Sequence, residues 1–296
     1  MKRICLTVLN PGSGNENRDK ATLIERIAQH LNGYEILVHE TTGEDDLQTL
    51  DVLIQKENPA IVVVGGGDGT VRMVASLLLH QPITMCIIPL GSANGLAKCL
   101  GIDNMDDCWK AMESGVEKQL DVIQMDDEIC LHLADFGFNA NLIRNFEEQE
   151  TRGMLGYVKS SFKEIFTTEP KNFKLSIEET SVELSCKMLV IANGDRYGTG
   201  AIVNSTGNME DGKFEVIAIN PKGLDDLIQL SFSFFNKSLH EMEYVQVFSC
   251  TACSIENYEG AEFQIDGDHM DTPGGVHARV LAKALKVFVG PNYPLI

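Results

Sequence analysis

A chain of 296 residues is long enough for two domains and a sizeable core, and ordinary aliphatic content with no low-complexity tract marks it as globular. The formal charge of −19 excludes general affinity for nucleic acid or anionic surfaces, so an anionic ligand must be met by local donors, glycine loops or metal ions. No stretch approaches the ~18 uncharged apolar residues of a membrane span, and eight scattered cysteines fit buried thiols in a reducing cytoplasm.

The first residues, Met1 to Leu9, imitate a short signal peptide but lack a cleavage site and run into Asn10-Pro11, so Ile4–Leu9 is expected to be a strand. Asn10-Pro11-Gly12-Ser13-Gly14 is a glycine loop. Leu23, Ile24, Ile27, Ala28 and Leu31 repeat at helical spacing, Tyr34–His39 reads as a second strand, and Thr41-Thr42-Gly43 leads to a helix carrying Leu47, Leu50, Leu53 and Ile54. Ile61–Val64 holds four β-branched residues in a row, the pattern of a strand buried on both faces. Gly65, Gly66 and Gly67 then allow a sharp turn, Asp68-Gly69-Thr70 follows, and Val71–Leu79 is expected to be helical. Unpaired N–H groups and the positive dipole end make such a strand-to-helix junction a phosphate seat. A carboxylate at Asp68 repels phosphates unless a cation lies between, and Mg²⁺ is the natural candidate. The competing reading is a tight turn in which Asp68 or Thr70 only caps the helix.

Thr84–Pro89 is a fourth strand, followed by Leu90-Gly91-Ser92-Ala93-Asn94-Gly95 and a short helix. This β-α alternation implies an α/β domain with a parallel sheet and helices on both faces. All three glycine loops follow strand carboxyl ends, where such sheets bind ligands. From about Val122 the texture changes to short runs separated by turn residues: Ile129–Phe136, Lys174–Ile177, Met188–Ala192, Lys213–Ile219, Glu262–Ile265 and Ala278–Val289. They predict a mainly antiparallel β-sandwich, interrupted by helical segments near Ala140–Phe166 and Leu224–Leu239. The expected domains are residues 1–122 and 123–296, with a return of the C-terminal tail to the first domain left open. Cys250-Thr251-Ala252-Cys253 is a lone CxxC without a second ligand pair at zinc spacing.

Four elements stand in order: Asn10-Pro11-x-Ser13-Gly14, Gly66-Gly67-Asp68-Gly69-Thr70, Pro89-x-Gly91-Ser92-x-Asn94-x-x-Ala97 and Asp266-Gly267-Asp268. Together they resemble the diacylglycerol kinase catalytic-domain family, which includes soluble bacterial lipid kinases and the sphingosine and ceramide kinases. Gly137-Phe138-Asn139-Ala140, Leu155-Gly156-Tyr157, Asn193-Gly194, Tyr197-Gly198-x-Gly200 and Asp211-Gly212 look like landmarks of the same family's second domain. The resemblance implies ATP in an interdomain cleft with Gly66–Thr70 around the phosphates and Asn10, Ser13, Thr41, Gly91 and Ser92 completing the nucleotide site. It makes Asp68 the organiser of Mg²⁺ and Asp266, supported by Asp268, the general base toward a lipid hydroxyl. By pattern alone, Asp266-Gly267 is a hairpin turn.

The sequence also departs from the family. Asp268 stands for a usual glutamate, Ser92 for a common threonine, and Gly95 for an aspartate of many bacterial diacylglycerol kinases. Asn141 occupies the place of the aspartate that serves the amino alcohol in sphingosine kinases. A structural Mg²⁺ of many bacterial members sits in an Asp-x-x-Asp-Gly loop, here Asn208 to Lys213, so Asn208, Asp211 and Lys213 are candidate ligands with one carboxylate turned into an amide.

Two rival readings compete with this one. An NAD kinase shares the GGDGT loop but needs a Leu-Gly-Phe-Leu type segment where Pro89–Ala97 stands. A non-catalytic nucleotide- or lipid-binding module fits poorly with the presence of both Asp68 and Asp266. The expected partner is a lipid at a membrane surface, approached from the cytoplasm, with no nucleic acid; assembly as a homodimer is left open. For docking, Arg152, Lys159, Lys163, Lys171 and Lys174 are interleaved with Met154, Leu155, Tyr157, Phe162, Ile165, Phe166 and Phe173. These residues form either a face for an anionic bilayer or a core-packed segment with solvated lysines.

Overall fold

The computed structural model describes residues 2–13, 20–137, 169–198, 200–223, 225–226, 229–230, 233 and 238–294. They divide into two compact units: residues up to Leu120 together with those from Lys283 onward, and Asp121–Ala282.

The first unit runs β1 (Arg3–Leu9), α1 (Lys20–His30), β2 (Tyr34–Glu40), α2 (Asp46–Glu57), β3 (Ile61–Gly66), α3 (Asp68–Leu78), β4 (Thr84–Pro89), α4 (Gly95–Cys99) and α5 (Met105–Ser114). Its strands lie in the order β2-β1-β3-β4, and every pairing is parallel. Helical crossovers between successive strands impose that direction. β3 and β4 are buried along their whole length, with Val62, Val63 and Val64 fully enclosed. Each such side chain contributes ~1.5–3 kcal/mol of burial, which fixes the strand ends carrying the glycine loops. α3 starts at Asp68, three residues earlier than its apolar pattern indicates. Gly67 is its extended N-cap, and the Val71 N–H bonds Gly67 O at 3.0 Å.

β5 (Glu117–Met125) leads from the first unit into the second. There β6 (Glu128–Cys130), β7 (Leu133–Phe136), β8 (Lys171–Ile177), β9 (Thr180–Cys186), β10 (Met188–Ala192), β11 (Phe214–Ile219), β12 (Val245–Cys250), β13 (Ala252–Asn257), β14 (Phe263–Ile265), β15 (Asp268–Met270) and β16 (Gly275–Phe288) follow. One antiparallel sheet has the order β12-β11-β10-β7-β14-β15. Against its inner face lie β8, β9, β13, the β5–β6 hairpin and the first part of β16. Phe136, Phe214 and Phe263 of one sheet share an apolar cluster with Phe173, Leu175 and Ile255 of the other. The Phe136 ring stacks on Phe263 with centroids 4.5 Å apart and tilts against Phe173 at 5.5 Å. This is the expected sandwich.

β5, β9, β12, β13 and β15 have no run of their own in the sequence reading, and the run Ile129–Phe136 is two strands broken at Leu131-His132. The expected helix near Ala140–Phe166 lies outside the described residues, as does most of Leu224–Leu239, whose end forms a single 3-10 turn at Leu239–Glu241. Cys250 and Cys253 flank the β12–β13 turn as buried thiols, and none of the eight cysteines is in a disulfide. Among the described residues, no helix is long and apolar enough to cross a membrane.

Candidate active site

The first unit gathers its glycine loops at the carboxyl ends of β1, β3 and β4. Asn10 pins two of them: its backbone N–H bonds Gly65 O at 2.9 Å, its side-chain N donates to Thr70 Oγ1 at 3.0 Å, and its Oδ1 accepts from Gly12 N at 2.9 Å. Gly66 O accepts from both Leu90 N and Gly91 N at 3.2 Å, tying the loop after β4 to the end of β3. Asn94 closes that loop on itself, accepting from Gly91 N at 2.8 Å and donating to Gly91 O at 2.7 Å.

Around these loops lies a cavity of about 860 Å³, lined by Asn10, Pro11, Gly12 and Ser13, by Thr41 to Gly43 and the start of α2, and by Gly67, Gly69, Thr70 and Met73 of the α3 junction. Its size falls in the range of small-molecule sites. The first-turn N–H groups of α3 have no helical acceptor and carry the positive end of the dipole, which suits phosphate. Of the expected nucleotide residues, Asn10, Ser13, Thr41, Gly67, Gly69 and Thr70 line this one cavity. Gly66, Asp68, Gly91 and Ser92 are not among its described lining residues. The wall formed by Asp45, Asp46, Leu47 and Gln48 carried no sequence signal beyond its position after a strand. Asp46 shapes this wall, because its carboxylate accepts from Thr42 N and Gly43 N at 2.8 Å and from Thr42 Oγ1. The Thr42 amide above all holds that carboxyl below the ordinary range.

The glycines make the close approach possible. A Cβ on Gly66 would fall 2.6 Å from the Thr70 side chain, and one on Gly91 would fall 2.5 Å from Gly67 Cα. Gly91→Ala therefore forces two backbone segments apart. It is expected to cost ~1–3 kcal/mol in thermal or denaturant unfolding and to weaken ATP binding in titration calorimetry. Gly223→Ala, where an added Cβ meets nothing within 4 Å, should leave both unchanged.

Asp68 occupies the first position of α3, half-buried, with Oδ1 3.4 Å from Leu96 N at the start of α4. Among the described residues, no three or more His, Cys, Asp or Glu side chains form a group able to hold a metal ion. A lone carboxylate still fits a Mg²⁺ that arrives with nucleotide phosphates, since that ion takes one or two protein carboxylates plus phosphate and water. The loop at Asn208 to Lys213 is employed otherwise. Asn208 Oδ1 accepts from Glu210 N at 3.0 Å, Asp211 Oδ1 accepts from Lys213 N at 2.9 Å, and Gly212 N donates to Asp121 Oδ2 at 2.6 Å. Lys213 is exposed. Asn208 Oδ1 and Asp211 Oδ1 thus each take one hydrogen bond from their own loop.

In the second unit, Asp266 and Gly267 are the two loop residues of the β14–β15 hairpin, with Ile265 opposite Asp268 and φ of +50° and +87°. The hairpin reading of Asp266-Gly267 is therefore correct, but it does not exhaust the residue. Asp266 is only 3 % exposed, and its carboxylate lies against the break between β6 and β7. Oδ1 accepts from His132 N at 2.9 Å and Leu133 N at 3.3 Å, and it stands 2.6 Å from His132 Nδ1. Oδ2 accepts from Leu131 N at 2.8 Å. Burial pushes the Asp266 carboxyl up, but the positive His132 ring and the amides of Leu131 and His132 outweigh it and hold the group below the ordinary range. Asp268, by contrast, begins the edge strand β15 and is exposed.

A neighbouring polar group escaped the sequence reading. Asp135 of β7 is buried, and its Oδ2 receives Tyr197 Oη at 3.0 Å and the Gln264 side-chain amide across the β7–β14 pair. Burial, then the Asp135 charge, push the Tyr197 hydroxyl well up. The available signal was a charge inside the apolar run Leu133 to Phe136. Of the basic and aromatic stretch read as either a bilayer face or a core-packed segment, residues through 168 lie outside the described ones, and Phe173 is buried in the core of the second unit. Lys171 and Lys174 sit on β8 beside carboxylates, Lys171 3.9 Å from Glu259 and Lys174 2.8 Å from Glu256.

Two family models match the chain: the diacylglycerol kinase catalytic domain over residues 5–125, and the YegS C-terminal NAD kinase beta sandwich-like domain over residues 133–289. A Pseudomonas aeruginosa protein named "Probable lipid kinase YegS-like" is 24% identical over 298 residues, covering 99% of this chain and 96% of the relative. The "Probable lipid kinase YegS" of Salmonella heidelberg is 23% identical over 301 residues, covering 98% and 97%. Among solved structures, a diacylglycerol kinase from Bacillus anthracis superposes over 98% of both chains with a TM-score of 0.77 at 19% identity. An NAD kinase from Archaeoglobus fulgidus in complex with ATP covers 98% of this chain and 95% of its own, with a TM-score of 0.54 at 15% identity. These structural likenesses show the fold.

Proposed function

Because the chain belongs to the family that joins a diacylglycerol kinase catalytic domain to a YegS-type C-terminal domain, we propose that it transfers the γ-phosphate of ATP, with Mg²⁺, to a lipid hydroxyl. The observation that carries this reading is the 860 Å³ cavity at the glycine-rich strand ends, where Asn10, Ser13, Thr41, Gly67, Gly69 and Thr70 converge. The first-turn amides of α3 orient the phosphates, and the hydroxyls of Ser13, Thr41 and Thr70 supply donors. Asp68 is the carboxylate that would hold Mg²⁺, and that ion neutralises charge developing on the phosphates.

In the second unit, Asp266 is the group assigned to take the hydroxyl proton. A carboxylate has about four lone-pair positions. Oδ1 is crowded, whereas Oδ2 receives Leu131 N as its one donor among the described residues. Oδ2 is thus the atom with capacity for the acceptor's O–H. A base held ionised suffices here, because phosphoryl transfer has a loose transition state and asks mainly for positioning. The NAD kinase neighbour, at 15% identity, offers no observation that favours its activity for this chain.

Diacylglycerol, phosphatidylglycerol, a sphingoid base, ceramide and a prenyl alcohol all present the required hydroxyl. Incubation with γ-labelled ATP and a panel of extracted lipids is expected to yield a labelled lipid, with label lost on chelation of Mg²⁺. Labelling of NAD and of no lipid would overturn the proposal.

A further inference from the structure

His132 has no role in the chemistry described so far, yet its ring stands against the Asp266 carboxylate. It occupies the two-residue break between β6 and β7, and it is as buried as Asp266 itself, at 4 % exposure. The same break supplies three backbone donors, from Leu131, His132 and Leu133, all aimed at one carboxylate. A tight hairpin loop ordinarily leaves its first residue in solvent. Here that residue is turned inward, in the left-handed region at φ +50°, to meet them.

We propose that His132 is the positioning residue of Asp266: by engaging Oδ1 it fixes the carboxylate so that Oδ2 stays directed to the acceptor hydroxyl. Nδ1 stands 2.6 Å from Oδ1, so the grip combines charge with close contact. Few other groups share the work. The Cys130 thiol reaches Oδ1 at 3.7 Å from the end of β6, while on β14 the Gln264 amide is committed to Asp135, which also binds Tyr197. The depressed carboxyl of Asp266 agrees with this geometry. An opposite charge at such a distance displaces a carboxyl by ~1–3 pH units.

The inference rests on the reading of Asp266 as the proton acceptor, and the test separates the two. The pH dependence of kcat/KM for lipid phosphorylation is measured for the parent, His132→Leu, His132→Asn and Asp266→Asn, alongside a carbon-13 NMR titration of the Asp266 carboxyl in the first three. In His132→Leu, the acid limb of the profile and the NMR midpoint of Asp266 should both move up by ~1–3 pH units. kcat should fall on the order of 10–10²-fold with KM for ATP unchanged. His132→Asn keeps a neutral donor near Oδ1, so it should recover part of kcat while its acid limb stays raised. It also keeps the test open should the leucine variant unfold. An unmoved acid limb and an unmoved carboxyl midpoint, with activity lost only in proportion to unfolded protein, would reduce His132 to a space-filling residue and overturn the inference. Parent-like turnover in Asp266→Asn would instead remove the base assignment and, with it, the role proposed for His132.

Discussion

Asp266→Asn is expected to lower lipid-kinase kcat by ~10²–10⁴-fold, the usual contribution of a positioned base. The asparagine retains one acceptor oxygen, but its amide group has to sit where amides already point, at Leu131 on one side or His132 and Leu133 on the other. A buried donor facing a donor costs ~1–3 kcal/mol, so stability should fall as well, and kcat must be expressed per folded molecule, with the folded fraction read by circular dichroism. The pH signature separates the effects further. Burial raises the native Asp266 carboxyl, but the His132 charge and the backbone amides lower it more, to a net position below its unfolded value. Its contribution to stability is therefore complete above the ordinary aspartate range and lost as pH falls through the lower native value. Denaturant unfolding should show this acid-side loss in the parent and a flatter acid side in the variant. Turnover per folded molecule equal to the parent's would return Asp266 to a purely structural anchor.

Asp68→Asn is expected to cut kcat by ~10²–10³-fold, as removal of one electrostatic stabiliser does, and to raise the Mg²⁺ concentration needed for half-maximal rate. Stability should change by less than ~1 kcal/mol, because a charge in the first helical turn is worth ~0.3–1 kcal/mol and asparagine retains an oxygen for Leu96 N. The decisive measurement is kcat against free Mg²⁺ at saturating ATP. If the variant matches the parent at every Mg²⁺ concentration, Asp68 has no part in holding the metal.

The first unit was largely legible because its signals are redundant. Thr84–Pro89 is the observed extent of β4, and the four β-branched residues of β3 report burial on both faces. Spacing and glycine placement located the cavity, but not which loop residues would line it. Gly91 and Ser92 belong to the motif, yet the observed role of Gly91 is to let its loop meet Gly67. The second unit was read less well because its edge strands alternate weakly: β9 exposes four of its seven residues and β12 three of its six, and β13 begins inside a cysteine motif. His132 was invisible for a different reason. Its meaning depends on a residue 134 positions later, which turns back onto the break between β6 and β7. For Asp266 itself the sequence offered turn or acid as alternatives, whereas the left-handed hairpin position is what delivers the buried carboxylate.

β16 has a bearing on synthesis. The strand begins at Gly275 in the second unit, and Val287 pairs with Met85 in the first; Val289 N then bonds Val116 O at 3.1 Å, and Gly290 N bonds Leu100 O at 2.8 Å. The first unit is thus discontinuous, closed by a segment translated after all of residues 121–282. An elongating ribosome extrudes most of that unit early but withholds the strand that flanks β4. Domains with such late, long-range closures pay the loop entropy before the contact forms, and they fold slowly. The nascent β4 edge has to wait, open to pairing with other chains or to chaperones, so the unit encoded first is the one completed last.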